Sequence, residues 1–329
     1  MSKRTLDGFF TTPSTKKIRF DQKTSPQPPP QINCAAANKD DHPSYPWPVR
    51  HLPDYIKDEL ELSVTAEGKA INGHRDLDLL YFQPFIPQSI DQALFEFLRS
   101  ELFFYHVQYT IKRSGFERQV NTPRYTTVFG LDETSRFVPN TPSIVETSDP
   151  LRSVSKAKYK CQPRPIPECL DFLRRITEAA TDTKYNFCLV NYYATGSDSI
   201  SFHSDDEQFL GPDPAIASFS LGAKRDFIMK HKSVSHKDDV AVPETVPIKL
   251  PLASGDMVLM RGRTQSNWLH SIPKRKGGEA GKGRINITLR RVMVPYGTEN
   301  YYRYNVGSGG VYRWSNEKGE MEPWTKCMS

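Results

Sequence analysis

From residue 185 onward the chain is cut into short β-prone segments: "YNFCLVNYY", "SISFH", "IASFSLG", "RDFIMKH", "VPIKLPL", "DMVLMRG" and "RINITLRRVMV". Gly, Pro, Asp and Ser turns such as "ASGD" and "LGAKRD" separate them. Strands this short bury a face only by pairing into a sandwich or barrel. Upstream, two stretches carry helical spacing. "SIDQALFEFLRSELFF" places Ile90, Leu94, Phe97 and Leu98 on one face with Ser89 as an N-cap. "PIPECLDFLRRITEAA" has Pro167 near its first turn and Leu170, Leu173 and Ile176 along one side. Two helices followed by many strands predict an α+β fold.

The ends read differently. Residues 1–45 are rich in Pro, Gln, Ser and Asp and poor in apolar residues, so they are expected to be a disordered tail. Within it "KRTLDGFFTT" holds Leu6, Phe9 and Phe10 on what would be one helical turn, the apolar triplet a docking peptide needs. A chance triplet remains the competing reading. The globular part is expected over 46–295, with a polar surface insertion at 132–158 and a Tyr- and Trp-rich extension at 296–329 that is expected to pack on the core. The chain has no run of about 18 apolar residues, and its N-terminus has charges where a signal peptide needs an apolar block. The five cysteines are scattered with no Cys-x-x-Cys, which argues against a zinc cage and for a reducing compartment. A net charge of +6, dense in "KHK", "KRKGGEAGKGR" and "LRRV", permits a nucleic-acid partner without demanding one.

The stretch "NYYATGSDSISFHSDDE" asks whether a histidine is a ligand. His203 and Asp205 are two apart, so on a strand both reach one ion. That spacing alone is common and usually structural. An iron(II) site needs a second imidazole, and "NWLHSIP" supplies His270 after "ASGDMVLM", a turn feeding a buried strand. In "GRINITLRR", Arg284, Asn286, Thr288 and Arg290 alternate with Ile285, Ile287 and Leu289. Two arginines on one side of a β-core are costly unless an anion pairs with them, and a dicarboxylate would satisfy both. An exposed edge strand is the alternative.

Taken in order, Asn191-x-Tyr193, His203-x-Asp205, His270 and Arg284-x-Asn286-x-Thr288-x-Arg290 resemble the AlkB-type iron(II)/2-oxoglutarate dioxygenases, nuclear DNA-repair branch, over roughly residues 75–295. The resemblance implies a double-stranded β-helix (jelly-roll, cupin-like) core with N-terminal helices and a nucleotide-recognition lid. It implies that His203, Asp205 and His270 hold iron, and that Asn191, Tyr193, Arg284, Asn286, Thr288 and Arg290 line the 2-oxoglutarate site, Arg284 taking the distal carboxylate. Asp206 matches the family's substrate-contacting acid. Arg124 in "TPRYTTVFG" falls near the phosphates, and Tyr159 in "KYKC" matches a base-contacting tyrosine, with Cys161 replacing the family's aromatic. The damage-probing hairpin tip would fall around Tyr109–Ile111. Leu6, Phe9 and Phe10 resemble a sliding-clamp (PCNA) binding box over residues 3–10, with Lys3 in place of its Gln.

The implied activity is direct reversal of DNA alkylation by a nuclear, monomeric enzyme using iron(II), 2-oxoglutarate and O2. A methyl group of 1-methyladenine or 3-methylcytosine leaves as formaldehyde, with succinate and carbon dioxide formed. Such bases are cations, which a carboxylate beside the pocket complements, and they leave the stack cheaply because they cannot pair. Three other readings share parts of the pattern: an N6-methyladenine demethylase on DNA or RNA, a small-molecule dioxygenase, and a non-catalytic adaptor recruited through "KRTLDGFF".

Overall fold

A computed structural model describes residues 49–62, 67–113, 116–139, 141, 143–155, 159, 163–232, 246–306 and 310–324. The strands, in chain order, are β1 (Lys69–Ile71), β2 (Asp78–Phe82), β3 (Phe104–Tyr105), β4 (Gln108–Arg113), β5 (Phe116–Asn121), β6 (Tyr125–Gly130), β7 (Ser135–Phe137), β8 (Ile144–Glu146) and β9 (Phe187–Tyr193). They continue as β10 (Ile200–His203), β11 (Ile216–Gly222), β12 (Arg225–His231), β13 (Ile248–Leu252), β14 (Met257–Arg261), β15 (Trp268–Ile272), β16 (Arg284–Arg290), β17 (Val311–Ser315) and β18 (Glu320–Pro323). Helices are α1 (Asp54–Leu62), α2 (Asp91–Glu101), α3 (Glu168–Thr181), α4 (Thr264–Asn267) and α5 (Glu299–Asn305).

The strands form a ten-stranded sheet ordered β1-β2-β14-β11-β16-β9-β6-β3-β17-β18 and a four-stranded sheet ordered β10-β15-β12-β13. Neighbouring strands in these sheets pair antiparallel. This mixed α+β architecture with large antiparallel sheets is consistent with a double-stranded β-helix. β16 lies between β11 and β9 and all seven of its residues are buried, so it is no edge strand. β9 is likewise buried throughout, as its near-continuous apolar text requires. At the end of β11, Gly222 has φ +82°, and an added Cβ would meet the Gly283 carbonyl oxygen at 2.6 Å and the Phe95 ring at 2.8 Å. Only glycine lets α2 and the β16 hairpin close on this corner.

Both expected helices are present. In α2, Leu94, Phe95 and Leu98 are buried, but the Ser89 hydroxyl donates to Glu59 of α1 at 3.1 Å and caps nothing. Pro167 is the N-cap of α3, whose Cys169, Leu170, Phe172, Leu173 and Ile176 are buried. Its outward face is laced by Arg174, which pairs with Asp171 and Glu178 at 2.8 and 2.7 Å. Residues 132–158 carry the β7–β8 hairpin, where Ile144 and Val154 are buried with Leu131 and Tyr159 in a small second core. The C-terminal segment joins the large sheet: β17 pairs with β3 and β18 with β17. Leu6, Phe9, Phe10 and the rest of the tail lie outside the described residues.

Candidate active site

β10 and β15 pair so that His203 stands directly opposite His270. Cross-strand neighbours converge in this way, and the two ring centroids are 4.2 Å apart. Phe227 of β12 stacks on His270 at 5.3 Å and fixes its plane. His203 Nδ1 donates to the Ser201 carbonyl at 2.8 Å, which leaves Nε2 as the lone-pair donor. Asp205 arrives differently from the expectation. β10 ends at His203, so Asp205 lies in the loop beyond the strand and period-two geometry does not place it. Its backbone N–H donates to Gln265 Oε1 at 3.0 Å, and its Oδ2 accepts Arg290 Nη2 at 2.9 Å. The donor atoms of His203, Asp205 and His270 all lie within 4.8 Å of one another, the one such cluster found among the described residues.

Electrostatics suits that grouping. Burial pulls His270 down to about 3, with the His203 charge opposing its protonation further. Burial lowers His203 as well. Burial alone would raise the Asp205 carboxyl, but the Arg290 guanidinium and the two imidazoles hold it below the ordinary carboxylate range. Two neutral imidazoles and one ionised carboxylate are the donor set of a 2-His-1-carboxylate iron(II) site with open positions.

Three central strands supply the adjoining polar face. Across β9, β16 and β11 the register sets Tyr193 opposite Arg284, Asn191 opposite Asn286, and Asn286 and Thr288 opposite Ser220 and Ser218. Arg284 Nη2 donates to Ser220 Oγ at 2.7 Å, Asn286 Nδ2 to Ser218 Oγ at 2.9 Å, and Asn191 Nδ2 to Asn286 Oδ1 at 3.3 Å. Thr288 Oγ1 donates to the Leu189 carbonyl at 3.1 Å. Nε and Nη1 of both Arg284 and Arg290 are buried without a hydrogen-bond partner. Burial also depresses the Arg284 guanidinium to about 10, against the support of the Tyr193 phenol. Unspent donors of this kind fit an anion such as a dicarboxylate.

Comparison with known proteins agrees with this chemistry. Residues 78–290 match the profile of the 2OG-Fe(II) oxygenase superfamily. The DNA oxidative demethylase ALKBH2 of Arabidopsis thaliana is 30% identical over 243 residues, covering 68% of this chain and 69% of that protein. ALKBH2 of Homo sapiens is 38% identical over 40% of this chain and 49% of its own length. The mouse alpha-ketoglutarate-dependent dioxygenase alkB homolog 3 is 37% identical over 42% of this chain and 47% of that protein. The chain belongs to the AlkB family of 2OG-Fe(II) oxygenases. It spans about half the length of the mammalian relatives it matches.

In this oxygenase His203, Asp205 and His270 form the iron-binding facial triad, and the cosubstrate is 2-oxoglutarate. Asp206 and Tyr159, expected at the substrate, differ in exposure. Asp206 is exposed, its Oδ2 accepting Lys232 Nζ at 2.7 Å. Glu207, two residues past Asp205, is a further acid of the site, and its Oε2 accepts the Tyr301 hydroxyl at 3.1 Å. Burial pushes the Glu207 carboxyl up to about 7, with the Asp205 charge adding to the shift. Tyr159 is 6% exposed and packs on Tyr296 at 5.4 Å among Leu131, Ile144 and Val154. Burial raises its phenol to about 12. Arg124 does reach the site, its Nε donating to Asn191 Oδ1 at 2.8 Å.

Five further contributors went unnoticed at the level of sequence. Ser218 and Ser220 alternate with Phe219 in "SFS", a visible hint of a polar face on a buried strand. Gln265 and Tyr301 left no local sign, being one polar residue in a turn and one tyrosine in an aromatic-rich tail. Arg225 is 1% exposed, and its Nη2 donates to the carbonyls of Asp198 and Pro273, each at 2.7 Å. It thereby closes the loop after β9 against the loop after β15.

Proposed function

We propose that this oxygenase removes methyl groups from ring nitrogens of DNA bases, 1-methyladenine and 3-methylcytosine first. The observation that carries the reading is the β4–β5 hairpin. Phe116, at the start of its second strand, is 81% exposed. The hairpin's other end leads through Thr122, whose N–H donates to the Val107 carbonyl, directly to Arg124 and the Asn191 contact. An exposed aromatic on a two-stranded arm rooted beside the metal site suits a wedge that enters a base stack while the target base turns into the pocket. Tyr109–Ile111, expected from sequence at the tip, lie along β4, which pairs with β5 from Gln108↔Asn121 to Arg113↔Phe116. The names of the ALKBH2 relatives support the same substrate class.

The chemistry supplied with iron(II) and 2-oxoglutarate in place is oxidation of the N-methyl carbon by O2, releasing formaldehyde while 2-oxoglutarate becomes succinate and carbon dioxide. The protein's part is placement. Arg284 would hold the distal carboxylate through its unspent donors, backed by Ser220, while Asn191 and Asn286 line the space between it and the triad. Arg290 is committed to Asp205 and keeps that ligand ionised. Glu207, beside Asp205, offers a carboxylate to a cationic base. Exposed Lys224, Lys274, Arg275 and Lys276, tied together where Arg275 Nη1 donates to the Lys224 carbonyl at 3.0 Å, would hold phosphates without reading sequence.

A panel of otherwise identical duplexes carrying 1-methyladenine, 3-methylcytosine or N6-methyladenine tests the reading by mass spectrometry of the digested bases. Faster loss of the two cationic methyl-bases is the expected result. Preferential loss from N6-methyladenine would replace it with the neutral-base reading.

A further inference from the structure

Residues beyond Arg290 lie outside the superfamily profile, yet one of them reaches the iron centre. Tyr301, on α5, is 6% exposed. Its ring stacks on Phe187 at 4.9 Å and meets Phe209 edge-on at 5.4 Å. Phe187 is the β9 residue opposite Arg290 in the sheet register, so the stack delivers the tyrosine face to that arginine. The Arg290 guanidinium lies 4.8 Å from the Tyr301 ring centroid, and its Nη2 donates to the Asp205 ligand at 2.9 Å. The Tyr301 hydroxyl donates to Glu207 at 3.1 Å. One side chain therefore touches both groups that flank the metal carboxylate.

We infer that Tyr301 is a positioning residue of the iron centre, so that the segment after residue 295 is part of the site and not an appendage. Arginine is a long, rotamer-rich side chain, and Nε and Nη1 of Arg290 have no hydrogen-bond partner to steady them. The tyrosine face on one side and the Asp205 carboxylate on the other leave it one arrangement, with the ring's negative face stabilising the cation. That arrangement in turn orients Asp205, and partners of metal ligands of this kind tune metal affinity. The helix bearing Tyr301 is anchored separately. The Tyr302 hydroxyl donates to the Gly130 carbonyl at 3.0 Å and accepts the Arg164 N–H at 2.8 Å, and Thr126 Oγ1 donates to the Asn305 carbonyl at 2.6 Å. Positioning and anchoring can thus be separated by mutation.

The test is cobalt(II) binding to the full-length apoprotein, followed by equilibrium dialysis and visible absorption, with no substrate present. Tyr301→Leu removes the aromatic face and the hydroxyl and is expected to weaken cobalt binding about 10-fold or more. Tyr301→Phe keeps the face and is expected to restore most of it. Tyr302→Phe loosens the α5 anchor and is expected to lower the thermal midpoint while leaving cobalt affinity unchanged. Should Tyr301→Leu fail to fold, pentafluorophenylalanine at position 301 keeps the ring's shape while reversing its face potential, and it is expected to bind cobalt more weakly than Tyr301→Phe. Wild-type cobalt affinity in Tyr301→Leu, or equal affinity for Tyr301→Phe and the protein with pentafluorophenylalanine at position 301, would overturn the inference. So would weakening by Tyr302→Phe equal to that by Tyr301→Leu.

Discussion

Arg284 and Arg290 share a strand face yet are separated by their partners. Arg290 pairs with Asp205 at 2.9 Å, whereas Arg284 has only Ser220 and the Tyr193 ring, with two donors unspent. Replacing Arg284 by Lys keeps the charge and loses the fork. KM for 2-oxoglutarate should therefore rise about 10- to 100-fold, the ~1.5–3 kcal/mol of a charge-assisted hydrogen bond, with kcat changed far less. Steady-state kinetics in 2-oxoglutarate checks this, and an equal fall in kcat at unchanged KM would assign Arg284 another role. The pair was legible because a period of two survives in the text "RINITLRR". What separates them was not, since Asp205 and Ser220 come from other strands and loops. Glu207 sits in the quoted "HSDDE" but cannot be told from Asp206 by spacing, because the loop after β10 follows no period.

At the scale of elements, the alternation of short apolar segments announced the central strands, and the spacing of Leu170, Leu173 and Ile176 announced α3. The β7–β8 hairpin was hidden because its strands are three residues each, too short to show a period. Two outcomes belong here. If the β4–β5 arm is a wedge, Phe116→Ala should lower kcat/KM on a methylated duplex about 10-fold or more, the loss of a few kcal/mol of unstacking support, while barely changing turnover of the same single strand. Equal losses on both would rule out a wedge. The second concerns α3, where Glu178 accepts the Tyr185 N–H at 2.8 Å, Arg174 at 2.7 Å and Lys184 at 3.2 Å. Burial would raise this carboxyl, and the Tyr185 N–H and the two cations override it, holding it below the ordinary carboxylate range. A carboxyl depressed on folding adds stability that is present above the unfolded value and lost as pH falls through the folded one. Wild type should melt higher than Glu178→Gln at pH 7, with the gap closing below about pH 4.5. A gap that persists into acid would contradict the charge-based account.

The whole molecule carries a net charge of +6, and Lys224, Lys274, Arg275 and Lys276 form an exposed basic cluster. If phosphates are its partners, the logarithm of the apparent affinity for a methylated duplex should fall linearly with the logarithm of salt concentration. Affinity unchanged between low and physiological salt, read by fluorescence anisotropy, would favour a small-molecule substrate. Length and texture announced one β-rich catalytic body, but the use of the C-terminal segment to complete it was illegible, because an aromatic-rich tail reads alike whether it packs on a surface or reaches a centre. If the triad serves this reaction, a methylated DNA base and 2-oxoglutarate are converted together. The direct measurement is formaldehyde and succinate released from a duplex bearing one 1-methyladenine, with iron(II), 2-oxoglutarate and ascorbate, for wild type and His203→Ala. Equal amounts of the two products from wild type and neither from the variant is the predicted result. Succinate without formaldehyde would contradict the substrate, and formaldehyde from His203→Ala at the wild-type rate would contradict the site.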